Sequence, residues 1–316
     1  MSSRSFALFA VLLAAAPSAA ACGKAVDSSA GGTDAGGGDD GPGSDDGAGD
    51  DDGGSAADAD PGGGADAAPV PRDGRIYALS VSYVDEAGLP VQSASVEAAF
   101  GAIDAEECQV VLVDGACSLR SCTPRELPAE APDAGAIDIA IDDEPVTQMA
   151  PDRQGTYPPF ERDGDELFDI GPGLTAQAAG GDVPAFELAV AAPAPIVLED
   201  AVPTSAGAID VSEAAGYVQR WQPGAETDRI RIDMTSSPAG DDLLLRLSCS
   251  VQASVPDLAI APGLLALLPV GTLDFEARVE SEATATAGDY DVSLTAAVVA
   301  TDAGGNRAKG TINLVP

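Results

Sequence analysis

The densest cluster of side chains that could do chemistry is Glu161-Arg162-Asp163-Gly164-Asp165-Glu166, with Asp169 close behind. Asp-Gly-Asp makes a sharp turn that gathers hard carboxylate oxygens, the donor type calcium takes. Asp163, Asp165, Glu166 and Asp169 are the expected ligands if this loop holds calcium. The other reading is a solvated acidic loop in an acidic protein. Asp142-Asp143-Glu144 is a second cluster of the same kind. Neither cluster carries an obvious reaction. The chain has no histidine, which removes Ser-His-Asp and Cys-His catalysis and every His-ligated metal site. Lys309 is the one lysine after residue 24 and lies in a Gly-rich turn. No G-x-S-x-G elbow, S-x-x-K pair or phosphate-cradling loop is present. From Asp73 on there are 40 acidic and 12 basic residues, net −28. Carboxylates are so abundant that no glycosidase-like pair stands out. No enzymatic activity and no resident cofactor is expected.

Five cysteines remain to be placed: Cys22, Cys108, Cys117, Cys122 and Cys249. A Cys₄ zinc site wants paired C-x-x-C knuckles, and the intervals of eight and four residues between Cys108, Cys117 and Cys122 do not supply them. Disulfides are the alternative in an exported chain. Asp114-Gly115 between two apolar runs is a strong hairpin signal. With Asp114-Gly115 as a two-residue loop, Cys117 faces Leu112, and Cys108 faces Ser121 beside Cys122. Cys117 and Cys122 are then about 16 Å apart along one strand, beyond the reach of about 7 Å that a bridge allows. The expected pairs are Cys108–Cys122 and Cys117–Cys249.

Cys22 has a different setting. Residues 1–22 read as a secretory signal: Arg4 is the only charge, an apolar run extends from Phe6 to Ala16, and Ala19-Ala20-Ala21-Cys22 follows. The run is too short to span a bilayer as a helix. Its end has the form of a bacterial lipobox, with Cys22 as the lipidated first residue, although Ala19 stands where Leu is usual. Residues 23–72 are an acidic spacer. Between Ala25 and Pro69 there are 12 Asp and no Lys, Arg, Leu, Ile or aromatic residue. Such a segment has almost nothing to bury and is expected to be disordered. The net charge of −37 disfavours nucleic acid, because a protein must neutralise phosphates with cations. It equally disfavours docking on anionic lipid, so membrane contact is expected through the N-terminal lipid alone. Excess acid also suits salt-rich surroundings, where screening relieves self-repulsion.

The elements that must carry these residues are mostly strands. Candidate runs are 75–84, 95–100, 109–113, 117–122, 136–141, 186–190, 196–198, 208–211, 217–221, 229–234, 243–251, 272–279, 291–300 and 311–315. Arg229-Ile230-Arg231-Ile232-Asp233-Met234 alternates cleanly, one wet face and one dry. Gly and Pro punctuate the runs about every ten residues, the spacing of a β-sandwich. Pro256–Gly271 breaks the pattern and predicts a short helix starting near Ala261-Pro262. Trp221 is expected to anchor the core. Ala134-Gly135-Ala136-Ile137-Asp138 recurs as Ala206-Gly207-Ala208-Ile209-Asp210, and a Pro-rich stretch runs from Pro193 to Pro203. Together they suggest two sandwich units, residues 73–200 and 201–316.

The order of these features is the ground for a resemblance. A lipobox-like end and Asp/Gly spacer precede Cys108…Gly115-Ala116-Cys117…Cys122, Ala134-Gly135-Ala136-Ile137, Val183-Pro184-Ala185-Phe186, Ala192-Pro193-Ala194-Pro195-Ile196 and Leu247-Ser248-Cys249-Ser250. This order resembles secreted lipoproteins of myxobacterial type with immunoglobulin-like sandwiches. The chain is more acidic and less Thr-rich than those relatives, and they lend it no functional residues. The expectation is an all-β protein: one or two immunoglobulin-like β-sandwich units after a disordered acidic linker. Its expected place is the outer membrane or the periplasmic face of the envelope, tethered by lipid. Its expected role is a non-catalytic structural or binding module for a surface protein or glycan. The alternatives are a calcium-dependent adhesion or glycan-binding module and, more remotely, a carboxylate-based hydrolase.

Overall fold

In the computed structural model, residues 72–101, 106–126, 128–168, 171–205, 207–236 and 243–316 are described. The signal segment, Cys22, the spacer up to residue 71 and Asp169 lie outside them. In chain order the strands are β1 (Arg72–Val84), β2 (Pro90–Phe100), β3 (Glu106–Asp114), β4 (Cys117–Pro124), β5 (Ile137–Ile141) and β6 (Glu144–Met149). Next come β7 (Phe160–Asp163), β8 (Gly173–Ala178), β9 (Phe186–Ala191), β10 (Ile209–Ser212), β11 (Tyr217–Arg220) and β12 (Arg229–Ser236). β13 (Leu244–Gln252) and β14 (Asp257–Ile260) precede the helix α1 (Pro262–Leu265), and β15 (Gly271–Ala287), β16 (Tyr290–Val299) and β17 (Lys309–Val315) follow it. The chain is all-β with sandwich-like sheets, as its alternation implies. α1 starts at Pro262, where the missing N–H of proline costs nothing. β6, β7, β8 and β14 lie outside the strand runs expected from sequence, because their apolar residues are few or their runs short.

The large sheet has the order β3-β4-β13-β12-β15-β16-β1-β2-β7, with β17 beside β15 and β10 beside β17. β15 changes partners along its length: its first part pairs with β17 and its last part with β16. A four-stranded sheet, β6-β5-β8-β9, lies against it through β9, which contacts β15 and β16. Alternate residues of β15 (Leu273, Phe275, Ala277 and Val279) are buried in the core, where the Phe275 ring meets Tyr217 of β11 edge-on. β16 is buried on both faces from Leu294 to Val299, the pattern of a strand covered on each side. Trp221 is 1% exposed, and its Nε1–H donates to the Ala253 carbonyl at 3.1 Å.

The division expected at residue 200 is not how the strands pair. β1 pairs in parallel with β16, and β4 pairs with β13, so both halves of the chain are interleaved in one sheet. Ile137 and Ile209, the echoed positions, do open strands. One strand is central in the small sheet and the other sits on the edge beside β17. The echo is local and does not mark a repeated domain.

Both expected disulfides are present, Cys108–Cys122 and Cys117–Cys249. They mark a protein of an oxidising, non-cytoplasmic compartment. The expected register is not present. The loop is Gly115-Ala116: Asp114 faces Cys117, and Cys108 faces Cys122 directly. Gly115 takes φ +57° at the first central position, which a type II′ turn reserves for glycine. A bulge between Val110 and Leu112 absorbs the remaining offset. The second bridge joins β4 to β13 side by side within the sheet. Three consecutive strands at one end of the sheet are therefore cross-linked. No helix among the described residues is long and apolar enough to cross a membrane.

Candidate functional site

Two adjoining cavities form where the loop after β7 crosses the ends of β1 and β2. One is apolar, about 740 Å³, and is walled by Tyr83, Val84, Pro90, Phe168, Pro195, Val197 and Val298. The other is polar, about 710 Å³, and carries Gln92, Asp142, Arg162, Asp165 and Glu166. Glu166 and Phe168 line both. Three carboxylates against one guanidinium leave the polar cavity negative.

The shared loop is fixed by hydrogen bonds at several points. Gly164 N–H donates to the Gln92 carbonyl at 2.8 Å. Gln92 Nε2 donates to Glu166 Oε1 at 2.6 Å, and the Arg162 guanidinium donates to the Glu166 carbonyl at 2.6 Å. Leu167 N–H donates to Ser80 Oγ at 3.1 Å. Leu167 and Phe168 are then buried, 4% and 5% exposed. Their burial is what turns the intervening acidic residues outward. The opposite wall is held by Asp228, a carboxylate only 5% exposed, which accepts from Ala194 N–H at 3.2 Å and Ser281 Oγ at 2.8 Å. A buried charge is tolerable when it is satisfied in this way. Asp228 anchors the segment Pro193–Pro195 to β15.

The acidic residues singled out in the sequence have separate fates. Asp142 and Asp143 form the two-residue loop between β5 and β6, with φ +48° and +68°. A type I′ turn needs positive φ at both central positions, and Asp tolerates it. Asp142 Oδ1 accepts from Gly173 N–H at 2.7 Å. Asp142 thus joins Asp165 and Glu166 around one cavity although more than twenty residues separate them in sequence. Asp163 ends β7 opposite Ser93 and does not line that cavity. Asp163, Asp165 and Glu166 do not converge as a ligand set. Among the described residues, Glu106, Cys108 and Cys122 are the one such group within 4.8 Å, and both sulfurs are spent in a disulfide. Ser80, Phe168 and the Pro193–Val197 wall carry no sequence signal of a site; only the fold brings them together.

A second polar region is an ion-pair ladder on the outer face of the large sheet. Arg278 pairs with Asp233 at 3.2 Å, Glu276 at 3.7 Å and Glu280, and sits 5.9 Å from the centre of the Tyr77 ring. Burial works against the Arg278 charge, but Tyr77, Glu280 and Asp233 around it raise its pKa. Arg307 and Lys309 pair with Glu276 at 2.6 and 3.6 Å, and Arg231 with Asp233 at 3.0 Å. The ladder largely neutralises itself. The described aromatics are buried or half-buried, so none is presented openly as a stacking platform for sugars.

No family model matches the chain, and no curated protein matches it. Among solved structures it is similar to one described as the crystal structure of a tetra-tandem repeat in the extending region of a large adhesion protein. The identity is 16%, covering 71% of this chain and 73% of that one, with a TM-score of 0.18. A likeness of that strength fixes neither a partner nor an activity.

Proposed function

We propose that this chain is a non-catalytic binding module of the cell envelope. It is held to a membrane by lipid on Cys22, carried clear by the acidic spacer of residues 23–72, and takes its ligand in the paired cavity. The observation that carries this reading is the adjoining of an apolar and an acidic cavity at Glu166 and Phe168. A concave apolar space with a few fixed polar groups is the usual form of a small-molecule site. The chemistry of the walls selects an amphiphilic cation, with its apolar body against Val84, Val298 and Phe168 and its charge against Asp165 and Glu166. A non-catalytic role is supported by Asp228, the one carboxylate among the described residues that is fully buried, being consumed in anchoring the wall.

The test uses the full chain and three probes of one shape: 4-phenylbutylamine, 4-phenylbutanol and 4-phenylbutyrate, titrated by calorimetry at fixed ionic strength. The amine is expected to bind about tenfold more tightly than the alcohol, a difference of about 1.4 kcal/mol, and the acid most weakly. Glu166→Gln with Asp165→Asn should erase the preference. Val197→Ser, at a side chain 46% exposed, should weaken all three. Equal affinities, or none, would overturn the reading. The tether has its own test: Cys22→Ser should move the protein from the membrane to the soluble fraction of cells. Unchanged fractionation would remove the lipid.

A further inference from the structure

β3 ends the large sheet with nothing across from it among the described residues. Four consecutive large apolar side chains lie on it in the open: Val110 58%, Val111 53%, Leu112 40% and Val113 62% exposed. The other exposed large apolar residues among those described are scattered. Exposed apolar residues that stand singly are ordinary, but a contiguous run on a strand edge is not. Cys108 lies 4.0 Å from Cys122, Cα to Cα. That is nearer the spacing of a non-hydrogen-bonded pair, so the backbone N–H and C=O of Cys108 and Val110 point away from β4. The edge has unpaired backbone groups, an apolar run and, apart from the bulge, no protecting device.

We infer that β3 is a docking strand for an extended segment of a partner protein, apolar in the middle and flanked by Lys or Arg. Charge complementarity selects this occupant. The run is bracketed by exposed Glu107 at one end and exposed Asp114 at the other. Glu106 is already paired with Arg246 at 3.0 Å. A second copy of this chain is the wrong partner. Antiparallel pairing of two β3 strands over the apolar run would set Glu107 of each near Asp114 of the other. It would also bring together two heads of net −28. The chain's own spacer does not match this edge in composition, since Ala25 to Pro69 has no Leu, Ile or aromatic residue. A strand added to a sheet edge gains affinity from main-chain hydrogen bonds and specificity from its side chains. Both cystines hold β3 and β4 in place before binding, which lowers the ordering cost of association.

The experiment is fluorescence polarisation of the full chain with labelled Lys-Thr-Val-Thr-Val-Thr-Val-Lys, with the same peptide carrying Glu at both ends, and with a version N-methylated at alternate backbone nitrogens. Opposite charges directly across two paired strands attract and like charges repel. Two pairs that change from attractive to repulsive should favour the Lys peptide about tenfold. Glu107→Lys with Asp114→Lys, both at exposed positions, should reverse the preference. N-methylation should abolish binding. The inference is overturned if the two peptides bind equally, if the charge swap changes nothing, or if N-methylation is harmless. It is also overturned if light scattering finds low-salt dimers of the chain that Val110→Lys dissolves, because the occupant is then a second copy.

Discussion

At one end of the large sheet β7 offers four residues, Phe160-Glu161-Arg162-Asp163, of which three are charged. At the other end β3 offers nine, with four consecutive exposed apolar residues. Both are edges, and both present unpaired backbone groups. β7 is short and charged, two of the ordinary ways in which proteins blunt an edge. It is also tied down by the loop that follows, where Leu167 and Phe168 enter the core. β3 sends little into the core and is held by covalent bonds instead. The difference teaches that an edge can be secured without being concealed. Packing secures β7 through the buried loop that follows it, whereas cystines secure β3 and leave its apolar run exposed.

The largest effect should come from the covalent side. Cys117→Ala with Cys249→Ala opens a bridge across 132 residues. In the chain-entropy account that is worth about 5 kcal/mol, read as a lower denaturation midpoint in urea. An unchanged midpoint would mean the bridge is not formed. Next comes the packed side. Leu167→Ala should cost about 2–5 kcal/mol, to the same extent with and without reductant, and should weaken 4-phenylbutylamine binding as the loop loosens. A loss seen only under reducing conditions would contradict the separation of the two edges.

This contrast explains how much could be read from sequence. The cystine pairing was legible because a hairpin signal and strand rise leave few geometries. The exact register was not legible: a turn displaced by one residue and a bulge at Val111 cost nothing that the hydrophobic pattern records. The alternation of Arg229–Met234 was legible as a half-buried strand. The parallel pairing of β1 with β16 was not, because it joins residues about 218 apart and local periodicity carries no information on partners. Within the candidate site, Asp165 and Glu166 stand out by type and spacing. Phe168 and Ser80 do not, since their roles depend on which strands the loop crosses.

Two smaller effects sharpen the comparison. Val113→Lys on the open edge should change stability by less than about 0.5 kcal/mol, measured by urea denaturation. A loss of several kcal/mol would mean that the residue is packed and the edge covered. The other appears only at high pH. Tyr157 is 4% exposed, donates to the Gly135 carbonyl at 2.8 Å and accepts from Ala134 N–H at 2.8 Å. Burial pushes its phenol up to about 12, against the opposing hydrogen bond from Ala134. The unfolded phenol titrates near 10. The raised value therefore gives stability that is full below pH 10 and is lost as pH climbs toward 12. Tyr157→Phe should flatten that loss in an alkaline melt series. An unaltered alkaline profile would assign the loss to other groups.

The most direct test of the account is backbone hydrogen exchange of the full chain, oxidised and then reduced under native conditions. If cystines hold one edge and packing the other, reduction should speed exchange in β3, β4 and β13 and leave β2 and the Gly164–Phe168 loop unchanged. If both edges loosen together, or neither does, the two edges are not held by different means and the account fails.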